Sequence, residues 1–335
     1  MNKLACVGLC LFLGCANNNS GDDSGAGSCA PTDDASVPSV DDLAMTGGNH
    51  SPDLGRKAPD MAQTALPTVF IIVLENQDYA DIVGSANAPY INSLIAQYGL
   101  ATNYQDSGSH PSLPNYLYMV SGDTQGISSD FDPTQNGAPF TVDNLGNQLE
   151  TNHVAWRAYA ESMNTPCKLI SSGSYYARHV PFLYFDDVQN GANSVCRNRV
   201  VDYSQFAADL ASNGYRLMWI TPNGTDDGHD PALDPATGLM DSDNWLSREV
   251  PKILASAGYK ANGALFITWD EAEGRNGNSG DQVPMIVISP KLKSAGYQSS
   301  TAFDHSSWLA TVEDWFKLPR LGAAAQATSL AEFFQ

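Results

Sequence analysis

Four short stretches of this 335-residue chain hold the side chains best suited to chemistry. The densest is Ser109-His110-Pro111-Ser112-Leu113-Pro114-Asn115-Tyr116, which brings two serines, an imidazole and a carboxamide together. Its prolines keep the chain out of a helix before residue 112. The apolar run 113–120 then predicts a helix with proline in its first turn, where a missing N–H is harmless. That puts Ser112 at about the N-cap. Free backbone N–H groups and the positive end of the helix dipole favour an anion there, and a serine hydroxyl so placed can attack a phosphorus centre. The competing assignment for Ser112 is a plain helix cap.

The other three stretches are acidic. Glu75-Asn76 and Asp270-Glu271 offer the hard oxygen ligands that suit a divalent cation. Asp227-Gly228-His229-Asp230 sets a carboxylate and an imidazole two residues apart, across a glycine that permits a tight turn, so that both can face one centre. Each has a plainer explanation when taken singly: a turn at a strand end, or a solvated loop. His179 lies in an aromatic stretch, 175–182, and serves equally as a core histidine or a catalytic one. His305 follows Asp304 at the start of a predicted helix, where a charged cap is the alternative to a site role.

The elements that must position these groups follow from hydropathy. The continuous apolar run 68–74 predicts a strand buried on both faces, the mark of a parallel sheet. Further buried runs at 217–221, 264–269 and 283–289 are interspersed with helical patterns at 88–98, 244–257 and 305–316. Such alternation predicts an α/β fold, a doubly wound, mostly parallel sheet sandwiched by helices. The segment 160–200 is irregular and aromatic, and reads as a cap insertion. In sheets of this kind ligands bind beyond the carboxyl ends of the strands. Glu75-Asn76 follow the first run, the 227–230 loop follows 217–221, and Asp270-Glu271 follow 264–269. Ser112 belongs to the loop after the first strand–helix unit. All four stretches should therefore meet at one sheet edge.

The chain has 17 basic against 37 acidic residues, a net charge of −20. No Lys/Arg cluster exceeds two neighbours, so the footprint of a nucleic-acid or anionic-membrane binder is missing. A protein this acidic needs a local positive charge to hold an anionic substrate, and a bound metal ion is one source. Lys3 and the apolar run 4–13, too short to span a bilayer, predict an export signal. Leu13-Gly14-Cys15-Ala16 has the form of a lipobox, which predicts cleavage before Cys15 and a lipid on its thiol. An outer-membrane or cell-surface lipoprotein follows, with periplasmic or secreted release as the alternative and no other membrane contact. Residues 15–66, poor in aromatic and β-branched side chains, read as a disordered tether, leaving 67–335 as the folded domain. Cys167 and Cys196 lie in that domain, and a disulfide is the expectation for an exported chain.

The order Ser112, Asp270, His305 is also that of α/β-hydrolase triads. Those enzymes carry the serine in a Gly-x-Ser-x-Gly elbow, which this chain lacks, and a carboxylesterase has no need of Glu75-Asn76. A non-catalytic surface binding module would leave the strand-end carboxylates unexplained. Taken in order, the stretches 73–79, 88–92, 110–116, 121–127, 158–163, 179–185, 221–223, 227–230 and 267–271 resemble the phosphoesterase family that joins bacterial phospholipases C with acid phosphatases, within the alkaline-phosphatase-like superfamily. The likeness is to its short phosphatase-type members. The resemblance implies hydrolysis of small phosphate monoesters through a phosphoserine on Ser112, with a phospholipase C or phosphodiesterase as the alternative. It implies a divalent metal held by Glu75, Asn76, Asp270 and Glu271. His110, His179 and His229 would surround the phosphoryl oxygens or the leaving group, supported by Asp227, with lesser roles for Asn115, Asp230 and His305. Relatives often carry a cysteine pair around the Asp-x-His-Asp loop, where this chain has Thr225 and Pro231.

Overall fold

Ten strands occur among the residues that the computed structural model describes, 66–229, 235–273 and 281–335. The segment expected to be an export signal, nearly all of the expected tether with Cys15, and Asp230 lie outside the described residues. The strands are β1 (Val69–Leu74), β2 (Gly99–Ala101), β3 (Tyr104–Gln105), β4 (Trp156–Ala160), β5 (Val200–Asp202), β6 (Leu217–Thr221), β7 (Ala264–Trp269), β8 (Met285–Ile288), β9 (Gln298–Ser299) and β10 (Phe303–Asp304). Eight form one sheet in the order β5-β4-β6-β1-β7-β8-β2-β9, and β10 pairs with β3 beside it. Every neighbouring pair is parallel except the two made by β8, so β8 alone runs against the rest.

The central strands β1, β6 and β7 are buried at every residue, which is why their sequences are unbroken apolar runs. Helix Ser112–Ser121 packs on helix His305–Phe316, and helix Pro89–Gln97 on helix Pro235–Ala255. The sheet is covered by helices, as an α/β fold requires. The irregular segment is more than a flap: Phe182 packs between Trp156 and Trp219, and the chain leaves the segment as edge strand β5. A Cys167–Cys196 disulfide closes it.

Candidate active site

The register of β1 with β7 pairs Leu74 with Trp269. The next residues, Glu75 and Asp270, therefore leave the carboxyl edge of the sheet side by side. The backbone ladder continues past the strands. Asp270 N–H donates to Leu74 O and Glu75 N–H to Asp227 O, both at 2.9 Å, and the second bond ties the loop after β6 to the same edge. Gly228, at φ +101°, makes the turn of that loop in a conformation that L side chains rarely adopt. Asn76 also has positive φ, +42°, in the left-handed region that asparagine tolerates. Its N–H donates to Asp270 Oδ1 at 3.2 Å.

Ser112 is the first residue of its helix, and the N-cap is Pro111 in extended backbone. Its hydroxyl faces the strand ends: Oγ lies 3.0 Å from Glu75 Oε2, 3.1 Å from Glu271 Oε1 and 3.5 Å from Asn76 Oδ1. The helix end itself is less open to an anion than the sequence predicts. Leu113 N–H donates to Asp130 Oδ1 at 3.0 Å, and Pro114 has no N–H to offer.

Glu75 and Asp270 are fully buried and Glu271 nearly so. Burial, with the charges of Asp270 and Asp227, pushes the Glu75 carboxyl well above the usual carboxylate range. Burial and then Glu271 do the same to Asp270. Carboxylates crowded in this way gain by taking up protons or a cation. Asp270 Oδ2 is buried without a hydrogen-bond partner. Three carboxylates, a carboxamide and a hydroxyl are oxygen donors of the kind a hard divalent ion takes, while the acidic and histidine side chains that the described residues bring within reach of one ion are Asp106, His110 and Asp281.

The imidazoles occupy different depths. His179 is buried, with Nδ1 3.2 Å from Glu75 Oε1 and 3.8 Å from Asp227 Oδ2. Burial, then the charges of Arg178 and His229, hold it well below the ordinary histidine range. It is neutral, and the two facing carboxylates assign its proton to Nδ1. It thus sits beneath Glu75 rather than at the mouth. His110 is partly exposed, with Nδ1 2.5 Å from Glu271 Oε2. Its hydrogen bond to Glu271, opposed by burial, raises it to about 9. His229 is half-buried, and its N–H donates to the buried Asp227 Oδ1 at 3.0 Å. Asn115 is fully buried and spends its carboxamide on the preceding loop, accepting from Ser107 N–H and donating to Ser109 O. His305 is not the cap of its helix; Asp304 is, in a capping box with Ser307. The fully buried His305 ring bonds Asp270 O through Nε2 at 2.6 Å and Tyr104 Oη through Nδ1 at 3.0 Å. Burial pushes it down to about 4. As a neutral ring it braces the backbone of Asp270.

The sequence pattern of the Phosphoesterase family matches residues 85–319. This chain belongs to the phosphoesterase family. A phosphatidylinositol-3-phosphatase from Mycobacterium tuberculosis is 30% identical over 282 residues, 82% of this chain and 86% of that protein. A probable acid phosphatase from Kluyveromyces lactis is 30% identical over 276 residues, 78% of this chain but only 61% of the fungal one. Among solved structures, a protein of the alkaline phosphatase superfamily from Vibrio parahaemolyticus shares the fold, with a TM-score of 0.52 and 9% identity over 80% of this chain and 72% of that one. The phosphoesterase is a hydrolase acting on phosphoric esters, built on the alkaline-phosphatase-like α/β sheet.

Several neighbours of the candidate site are not among the residues singled out from sequence. Tyr116 donates its hydroxyl to Glu75 Oε1. It lies four residues after Ser112, one helical turn away on the same face, and that spacing was a usable signal. Asp106, His110 and Asp281 bring one ligand atom each within 4.8 Å of one another, a group able to hold a metal ion. His110 Nε2 lies 3.6 Å from Asp106 Oδ2 and 3.5 Å from Asp281 Oδ1. Asp130 and Arg178 meet at 3.2 Å from positions 48 residues apart, with no local pattern to announce them.

Proposed function

We propose that this phosphoesterase is an exported, metal-dependent phosphomonoesterase that works through a phosphoserine at Ser112. The observation that carries the reading is the Ser112 hydroxyl, within 3.0 and 3.1 Å of two buried carboxylates at the carboxyl edge of the sheet. Two similar proteins whose names denote phosphatases add to it.

Ser112 Oγ attacks phosphorus while its proton passes to Glu75 or Glu271, both within reach of a general base. The P–O bond to the leaving group breaks, and an imidazole, His110 or His229, serves as the general acid that gives the departing alkoxide its proton. Water then attacks the phosphoserine, Ser112 regains a proton, and inorganic phosphate leaves. Two in-line displacements give net retention at phosphorus. A divalent ion held by Glu75, Asn76, Asp270 and Glu271 would supply the positive charge that acidifies the hydroxyl and neutralises phosphoryl oxygens. His179 and Tyr116 hold Glu75, and His305 holds the Asp270 backbone.

Export rests on Lys3, the run 4–13 and Cys15, and on a disulfide suited to an oxidising compartment. The substrate class is a small phosphate monoester. A pH-resolved assay of the purified protein against p-nitrophenyl phosphate, its bis-ester and p-nitrophenylphosphorylcholine tests the reading. The monoester should turn over fastest; hydrolysis confined to the other two would transfer the assignment to a phosphodiesterase or phospholipase C.

A further inference from the structure

We infer that Arg178 is a phosphate-binding residue of this site, that it selects dianionic monoesters over monoanionic diesters, and that Asp130 positions it. The inference rests on the proposed reading of Ser112 as the reacting centre. The floor of the site carries the carboxylates of Glu75, Asp227, Asp270 and Glu271, and a single divalent ion would leave that set negative when all four are ionised. A phosphate dianion needs further positive charge close by. Arginine is a permanent cation, and Arg178 directly precedes His179, whose Nδ1 lies 3.2 Å from Glu75 Oε1.

The guanidinium is held on two sides. It lies over the Tyr176 ring, 4.2 Å from the centroid, and its Nε faces Asp130 Oδ2 at 3.2 Å. The other oxygen of Asp130 accepts Leu113 N–H, from the residue next to Ser112. One carboxylate therefore fixes the guanidinium relative to the helix that carries the hydroxyl. The flanking chain is pinned too: Asp132 accepts from Ser171 Oγ at 2.6 Å, and Tyr184 donates to Phe131 O. Asp130 pairs with the guanidinium by charge from the Nε side, the buried Nε has no hydrogen-bond partner, and the two terminal nitrogens are not part of that pair. Those two nitrogens are the pair that grips two oxygens of one phosphate. A monoester offers three non-bridging oxygens and two charges, a diester two oxygens and one charge. A partly exposed ion pair with a purely structural role would contribute little and would favour neither ester.

The test compares wild type, R178A, R178K and D130N in turnover of p-nitrophenyl phosphate, with inorganic phosphate and bis(p-nitrophenyl) phosphate as competing ligands. R178A should lower kcat/KM for the monoester roughly 100-fold or more and weaken inhibition by inorganic phosphate, while inhibition by the diester moves by less than about fivefold. R178K, a charge without the fork, should recover part of the loss. D130N should raise KM more than it lowers kcat. Equal effects of R178A on both competing ligands, or none on either, would overturn the inference. S112A is run alongside. A fully active S112A removes the proposed centre and this inference with it, whereas a silent S112A beside an unaffected R178A removes the inference alone.

Discussion

The ring of His179 lies flat on the ring of Tyr116, centroids 5.3 Å apart and planes 9° from parallel, and both rings reach the same atom, Glu75 Oε1. The Glu75 carboxylate is thereby divided. Oε1 is held by two donors, and Oε2 is left for Ser112. Burial and the charge of Glu75 push the Tyr116 phenol well above its ordinary range, so it remains a donor. Tyr116→Phe should leave the stack in place and release one donor. Activity should fall roughly 10- to 100-fold, and denaturant unfolding should show a loss of about 1.5–3 kcal/mol. Wild-type rates in that variant would mean that Glu75 does not need the phenol.

Ser112→Ala should abolish turnover with the melting temperature close to wild type, because the hydroxyl does not cap the helix. Mass spectrometry of acid-quenched wild type should find phosphate on the peptide containing Ser112. Measurable steady-state activity in the variant would remove Ser112 from the chemistry.

Asp270→Asn keeps the hydrogen bond from Asn76 N–H but removes a charge from the oxygen cluster. Activity should drop roughly 100-fold or more. Chelator treatment of the wild type should do the same, reversibly on return of a divalent ion. Calorimetric titration should show tighter ion binding to wild type than to the variant, and identical binding would exclude Asp270 as a ligand.

These positions differ in how visible they were beforehand. The bounds of β6 and β7 match the apolar runs at 217–221 and 264–269, because strands buried on both faces have no polar alternation to blur their ends. Glu75 and Asp270 could be placed at one edge for the same reason. The reversed direction of β8 could not be read, since hydropathy carries no information on pairing sense. The three-residue β2 and β5 escaped because they are too short for a period. The depth of His179 was equally hidden. Its aromatic surroundings fit a core or a catalytic ring, and only the fold puts Tyr116 and Glu75 against it.

Glu313 offers a pH test away from the site. It is fully buried, with Oε1 accepting Leu321 N–H at 2.9 Å and Oε2 without a hydrogen-bond partner. Burial raises it to about 8 from an ordinary 4.5. Between those values the folded protein keeps a proton that the unfolded chain has lost, so stability falls as pH rises through the window and levels off above it. Glu313→Gln cannot titrate. Thermal melts from pH 4.5 to 8 should show a shallower decline in the variant than in wild type, and parallel curves would refute the assignment.

Replacing Cys167 and Cys196 with serine opens a link across 29 positions. The expected loss is about 3–4 kcal/mol from the freed entropy of the unfolded chain, read as a lower denaturation midpoint. Equal midpoints for the oxidised wild type and the double variant would show that the rest of the fold already holds the segment.

The bonds that define the site span most of the chain: Asn76 to Asp270 is 194 positions, and Ser112 to Glu271 is 159. No fragment ending before β7 holds both halves, and a chain still being made has no working centre until its last third has docked beside β1. Hydrolysis is therefore a readout of completed folding. Recovery of activity after dilution from denaturant should trail the return of helix signal, and its rate should report the closing of β7 onto β1.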